Sequence, residues 1–473
     1  MRRHPYAIAA AIFVALGVAF AMVQSQPTRA ERDARVLREE AHKRGFKLEP
    51  ADFAFVQSDE EHARAGVFSN NLPFVRALLI TATCTKGMMT GAHFRHWDTS
   101  DRKLRPNNQN LDAMAAMFLE GRPIRFSPEP GDTSEGMWPI NQAVPGERSR
   151  TALLEAVVEA LSERSWLALN YGESESAWAD LLACNAAAAR YVPGPFYAAH
   201  NARNRLVQAA FDRDRKMVAG RGWPDHRLAE MERLWRDVEL FRGLDESAMS
   251  TCANLLQVNA AARRATGDPL YPRPYYIFKT ALSNPGAAFD MISGRIPILS
   301  QRIEFNRRTS FIDDARIIRF YEQRVEILRR ALACETWHGI RTVTGLENPT
   351  APELSYSQIQ SLGLMKSAGS DGGLFPADDH SEPVSSTVRA EAQRRVLLAA
   401  IIVERARLRL GHLPTTLAEA GEVPPDFMDG KPLRYRTHED GTYYIHSVGF
   451  DLVDDDGKAG SDDIAWPWPV SSR

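Results

Sequence analysis

The chain has 473 residues, 44% hydrophobic and 25% charged, an ordinary globular composition with room for two or three domains. Its 58 basic and 60 acidic side chains leave a formal net charge of −2. That balance, with no Lys/Arg run interleaved with aromatics, argues against a nucleic-acid protein, whose affinity rests on phosphate contacts.

The first segments set the location. Residues 1–6 are a basic tail (Met1-Arg2-Arg3-His4), and residues 7–23, AIAAAIFVALGVAFAMV, are uncharged and almost wholly apolar. A membrane-spanning helix takes about 17–25 such residues, so a transmembrane anchor is expected here. A signal peptide is the alternative, because Ala19-Phe20-Ala21 matches the small-residue cleavage pattern. Both readings export the rest of the chain: a single-pass protein of the bacterial inner membrane facing the periplasm, or a secreted one. The arginines that follow the run, from Arg29 to Arg44, blur the positive-inside rule. Four cysteines (Cys84, Cys184, Cys252, Cys334) are far apart and form no CxxC, which reads as buried thiols, or as disulfides of an exported chain in one of three pairings, rather than a zinc ribbon or redox site.

Residues 24–365 read as a mainly helical, irregular exported domain. Thr28–Gly45 is highly charged and predicts a solvated helix. Helical spacing of apolar residues recurs at Leu153, Leu154, Val157, Val158 and Leu161, then at Leu228, Met231, Leu234, Trp235 and Val238, then at Ile318, Tyr321, Val325, Leu328 and Leu332. Ser310 with Asp313 predicts a capping pair at the start of the third helix. No constant period supports a solenoid. Residues 366–387, rich in Gly, Ser, Asp and Pro, read as a linker or long loop.

Residues 388–473 form the last predicted unit, a small α+β module. A long helix over Val388–Leu410 has a very apolar centre and stops at Gly411, with Pro414 beyond. Thr416 and Glu419 make a capping box for a short helix. LRYRT and TYYIHSV, separated by HEDG, predict a β-hairpin or meander. The fold class expected for the whole chain is therefore mainly α, with a small α+β C-terminal module.

From Gly411 onward the order of features is specific. It runs through Gly411–Pro414, Asp429-Gly430-Lys431-Pro432-Leu433-Arg434-Tyr435, Ser447-Val448-Gly449-Phe450-Asp451, an Asp/Gly loop, and Asp462-Asp463-Ile464-Ala465-Trp466. This stretch resembles the C-terminal part of the major pseudopilin of type II secretion systems, which implies a β-meander ending in a calcium-binding loop. The tail is also similar to that of uncharacterised membrane-anchored bacterial envelope proteins, which share a helical middle and a segment like RGFKLEPADF (Arg44–Phe53). The N-terminus departs from the pseudopilin pattern. It has no Gly-Phe junction and no acid in the apolar run, and residues 24–387 separate that run from the module. The resemblance thus bears on the fold of the tail and not on filament formation.

Six aspartates crowd the loop: Asp451, Asp454, Asp455, Asp456, Asp462 and Asp463. Like charges a few ångströms apart repel by about 1 kcal/mol even in water, and a cation would remove that cost. Calcium takes hard oxygen ligands in a flexible shell, and Gly457 and Gly460 let backbone carbonyls join. An EF-hand fails, because aligning Gly457 with its invariant glycine puts Leu452 at the first ligand position. The expected ligands are Asp451 and Asp463, then Asp456 and Asp462. A solvated acidic loop and a different cation are the competing readings. Trp466 and Trp468 are expected to pack the loop's return against the long helix, or to meet a partner.

Other chemistry is thin. His93 and His96 share a helix face without an HExxH, SAGSDGG (Ser367–Gly373) lacks a nucleophile elbow, and there is no P-loop. The function expected is a membrane-anchored envelope protein of structural or assembly type with a calcium-stabilised tail. Its alternatives are an exported hydrolase with its site in residues 50–370, and a minor component of a type II-like secretion system.

Overall fold

Long stretches of Ala, Leu and Arg with few β-branched residues dictate helix, and the computed structural model is 68% helical with a small C-terminal sheet. It describes residues 26–53, 108–125, 145–194, 197–218, 222–264, 304–344, 383–458 and 462–466. The helices, in order, are α1 (Arg29–Lys43), α2 (Asn108–Leu119), α3 (Pro145–Asn170), α4 (Ser174–Arg190), α5 (Tyr197–Met217), α6 (Asp225–Arg236), α7 (Leu244–Arg264), α8 (Ser310–Leu332), α9 (Trp337–Thr344), α10 (Pro383–Leu410) and α11 (Leu417–Ala420). A 3₁₀ turn (Pro50–Phe53) follows α1, and a π-helical turn (Phe305–Thr309) leads into α8. Among the described residues no helix is long and apolar enough to cross a membrane. The apolar run 7–23, Cys84, the His93/His96 pair, Ser367–Gly373 and Trp468 lie outside the described residues.

The chain divides into two compact units. The first takes α1, α7 from Cys252 onward, the π turn and α8 as far as Gln323. Buried Asp314 organises it, accepting from Asn259 Nδ2 (2.9 Å) and Arg263 (3.0 Å) and facing Arg38 at 3.6 Å. The expected capping pair is not a cap. Ser310 has helical backbone angles and continues the π turn, so Ser310 and Asp313 sit buried inside a longer helical run.

The second unit takes α2–α6, the start of α7, the end of α8, α9, α10, α11 and the sheet. The expected tail 388–473 therefore shares one core with the helical middle. Its centre is α10, which starts at Pro383, five residues before the predicted start, and is buried nearly all round over Ala390–Val403. A helix buried on every side belongs in a core, and α10 packs against α5, α6, β2 and β3. Residues of the sequence stripes lie in this core: Leu153, Leu154, Val157, Val158 and Leu161 in α3, and Leu228, Met231 and Trp235 in α6. Arg405 of α10 ties down the flank, bonding Asp225 (2.8 Å) and Glu232 (2.7 Å) of α6.

Strands β1 (Arg434–Thr437), β2 (Tyr443–Ser447) and β3 (Ile464–Trp466) form an antiparallel sheet in that order. Tyr435 pairs with Ile445, and Ile445 with Trp466. The Thr416 cap forms, with Thr416 Oγ1 accepting from Glu419 N at 3.3 Å, while the Glu419 carboxylate reaches one residue further back and accepts from Thr415 N at 2.6 Å. Trp466 is fully buried, edge-on to Phe211 of α5 at 6.0 Å, and donates to Tyr443 Oη at 3.3 Å.

Candidate functional site

Period-two alternation gives β2 two faces. Tyr443 and Ile445 turn toward α10, and Tyr443 Oη reaches Ala400 O at 3.4 Å. Tyr444 and His446 turn the other way, onto the aspartate loop. Tyr444 Oη donates to Gly457 O, and His446 Nε2 lies 2.8 Å from Asp454 Oδ1. The loop between β2 and β3 is thus folded back over the sheet's second face.

Two glycines permit this. A Cβ on Gly449 would stand 2.4 Å from Asp462 Cβ, and one on Gly457, which has φ +66°, would meet the Tyr444 hydroxyl. The turn before the loop is fixed by Trp337 of α9, whose Nε1 donates to Phe450 O at 3.0 Å. Leu452 and Asp456 take the left-handed conformation that non-glycine residues rarely adopt, with φ of 64° and 58°.

Asp463 closes the loop. It is buried, and its Oδ2 accepts from Gly457 N (2.7 Å) and Asp455 N (3.1 Å). Burial raises its pKa, against the pull of those amides and of His446. Asp454 is half exposed, and the His446 hydrogen bond holds its carboxyl below the usual range. His446 is buried, with Nε2 making its one hydrogen bond; among the described residues Nδ1 has no partner. Nε2 faces the Asp454 carboxylate, which only accepts, so a metal bound there would take the place of the Nε2 proton. One ligand atom each of His446, Asp454 and Asp463 lies within 4.8 Å of the others, and among the described residues this is the group of such side chains able to hold a metal ion.

The sequence-predicted ligands separate here. Asp463 is in the cluster. Asp451 is exposed and spends Oδ1 on Val453 N at 3.0 Å, closing a local turn. Asp456 pairs with Arg436, and Asp462 is exposed beside Gly449. His446 and Asp454 enter instead. The signal for His446 was its place in TYYIHSV, in phase with Tyr444 and out of phase with the core-facing Tyr443 and Ile445.

A second polar knot lies beside the first. Asp426 is fully buried and takes four hydrogen bonds: from Met428 N (2.9 Å), Ser447 Oγ (2.6 Å), Val448 N (3.0 Å) and Arg434 (2.8 Å). Burial raises its pKa, with the hydrogen bonds opposing. Arg434 also bonds Asp429 at 2.7 Å and Asp454 at 3.3 Å. Arg434 and Arg436 thus neutralise part of the acidic loop from within the sheet.

Ligand atoms no more than 4.8 Å apart can share one ion at bonds of about 2.4 Å, and the carboxylates of Asp454 and Asp463 are hard oxygen donors of the kind calcium takes. The imidazole nitrogen is a softer donor, of the kind zinc takes together with carboxylate. Cys184, Cys252 and Cys334 are free thiols. Burial pushes Cys184 up to about 12 and raises Cys252 as well, so neither is a thiolate nucleophile at neutral pH. Comparison with family models, with curated proteins and with solved structures finds no match to this chain in any of the three.

Proposed function

We propose that the chain is a membrane-anchored, periplasm-facing envelope protein of structural or assembly type, whose C-terminal loop is clasped by a divalent cation on His446, Asp454 and Asp463. The convergence of these three side chains within 4.8 Å carries the cation reading. The pseudopilin-like order of the tail and the apolar run 7–23 support the rest. Bound there, the cation would join the β2 face to both limbs of the loop and offset the repulsion between the two carboxylates. Calcium is the cation the resemblance implies. The imidazole donor favours zinc as the second reading.

The test is thermal melting of the full chain in detergent with chelator, then with calcium or zinc. A cation at 100 times its Kd stabilises by about 2.7 kcal/mol. Because the tail melts as part of a large unit, that corresponds to a rise of roughly 5–10 °C. A rise with calcium that Asp463→Ala abolishes and His446→Ala leaves standing supports a carboxylate calcium site. A rise with zinc lost in both variants supports the imidazole site. No rise with either ion overturns the cation. Retention of the chain in membranes after alkaline extraction tests the anchor separately.

A further inference from the structure

The first unit contains a cavity of about 650 Å³ between the start of α1 and the π turn with the head of α8. Five arginines line it, Arg29, Arg307, Arg308, Arg316 and Arg319, against two acids, Asp33 and Glu304. Phe311 and Ile312 supply an apolar part of the wall. Both acids sit in loose, exposed pairs: Arg29–Asp33 at 3.7 Å and Arg308–Glu304 at 3.5 Å. Such pairs hold little free energy, so an incoming anion displaces them at small cost. Arg319 is exposed and has no acidic partner among the described residues.

The backbone here is unusual in a way that builds the pocket. Phe305–Thr309 is π-helical, a conformation rare in proteins and concentrated at functional sites. The wider turn carries Arg307 and Arg308 on consecutive positions. It is latched to the segment before α1, since Thr28 Oγ1 donates to Arg307 O at 2.6 Å and Arg307 donates to Gln26 O at 2.9 Å. Four residues, Gln24–Pro27, separate Thr28 from the apolar run. Fully extended, they reach at most about 14 Å.

We infer that this pocket binds the phosphate of an anionic phospholipid headgroup in the leaflet from which the chain emerges. The inference rests on the proposed anchor. Arg316 is paired with buried Asp313 at 3.4 Å and Arg307 with Gln26 O, which leaves Arg29, Arg308 and Arg319, tied to no buried acid, to meet a phosphate with paired N–H groups. The short tether holds them at headgroup depth, and Phe311 and Ile312 suit the glycerol and upper acyl carbons. Arg29, one of the arginines that blurred the positive-inside rule, is then part of a folded site on the exported side.

The experiment uses the full chain reconstituted into vesicles of phosphatidylcholine alone, or of phosphatidylcholine with phosphatidylglycerol. Wild type is expected to melt several degrees higher in the second, with the difference shrinking as salt is raised. The exposed double variant Arg308→Glu/Arg319→Glu is expected to melt alike in both. Equal melting of wild type in the two vesicles overturns the inference, as does a shift that the double variant retains. A rise of the same size when inorganic phosphate is added to phosphatidylcholine vesicles assigns the pocket to free phosphate and overturns the lipid. Failure of the anchor reads separately: wild type then fails to float with phosphatidylcholine vesicles. Flotation that needs phosphatidylglycerol and those two arginines would keep the pocket without the anchor.

Discussion

Asp426 and Arg434 show what a single buried carboxylate demands. All four hydrogen bonds to Asp426 are made inside the protein, and Arg434 is its countercharge. Arg434→Leu is expected to destabilise by about 3–5 kcal/mol, because it strands a buried charge. Asp456→Asn removes an exposed pair with Arg436 while keeping a side chain that tolerates the left-handed backbone, and is expected to cost less than about 1 kcal/mol. Urea midpoints of the two variants measure the contrast. The difference was illegible in sequence, where Asp426 stands alone and Asp456 sits in an obvious acidic run. Burial, not local charge density, decides which aspartate matters, and burial here is set by contacts between residues far apart in the chain.

At the scale of elements, the loop depends on its close approach to the sheet. Gly449→Ala must push the Asp462 backbone away and so displace Asp463 from Gly457 and Asp455. An overpacking cost of about 1–3 kcal/mol is expected, read as a fall in melting temperature. If a cation binds, the same variant should weaken it in parallel. Elements of this kind were legible where periodicity was strong: the α3 stripe, the stop at Gly411, and the hairpin, in which His438 N closes on Thr442 O at 2.8 Å. The cap assigned to Ser310 was not, since a π turn carries no spacing that distinguishes it from the helix it extends. Of the three residues in the candidate cluster, one was legible. Asp463 belongs to a recognisable loop, whereas His446 and Asp454 meet because of strand pairing and a fold-back that no local pattern encodes.

At the scale of the molecule, the second unit carries buried charge in its helical core. Asp214 is fully buried, bonded to Asn185 Nδ2 at 3.0 Å and facing Arg213 at 3.4 Å, and burial pushes it up to about 6. A carboxyl whose folded pKa lies above its unfolded value of 3.8 binds more protons when folded. Stability from this group is therefore greatest below about pH 4 and falls as pH rises toward 6, by about 3 kcal/mol in all. Asp454, held low by His446, works in the opposite sense and loses its contribution as pH falls through the acid range. Asp214→Asn is expected to flatten the decline between about pH 4 and pH 6, whatever it does to absolute stability. Denaturant melts across that range give the slope.

The make-up of the second unit also has a consequence for the order of synthesis. Helices α5 and α6 leave the ribosome well before α10, yet α10 packs against both. At about 5–20 residues per second, the chain between them takes several seconds or more to appear. Through that interval Phe211 lacks Trp466, which it meets edge-on, and the Trp235 carbonyl lacks Arg394 of α10. A nascent chain in this state is a substrate for holding chaperones, and the unit closes only after its last helix has been made.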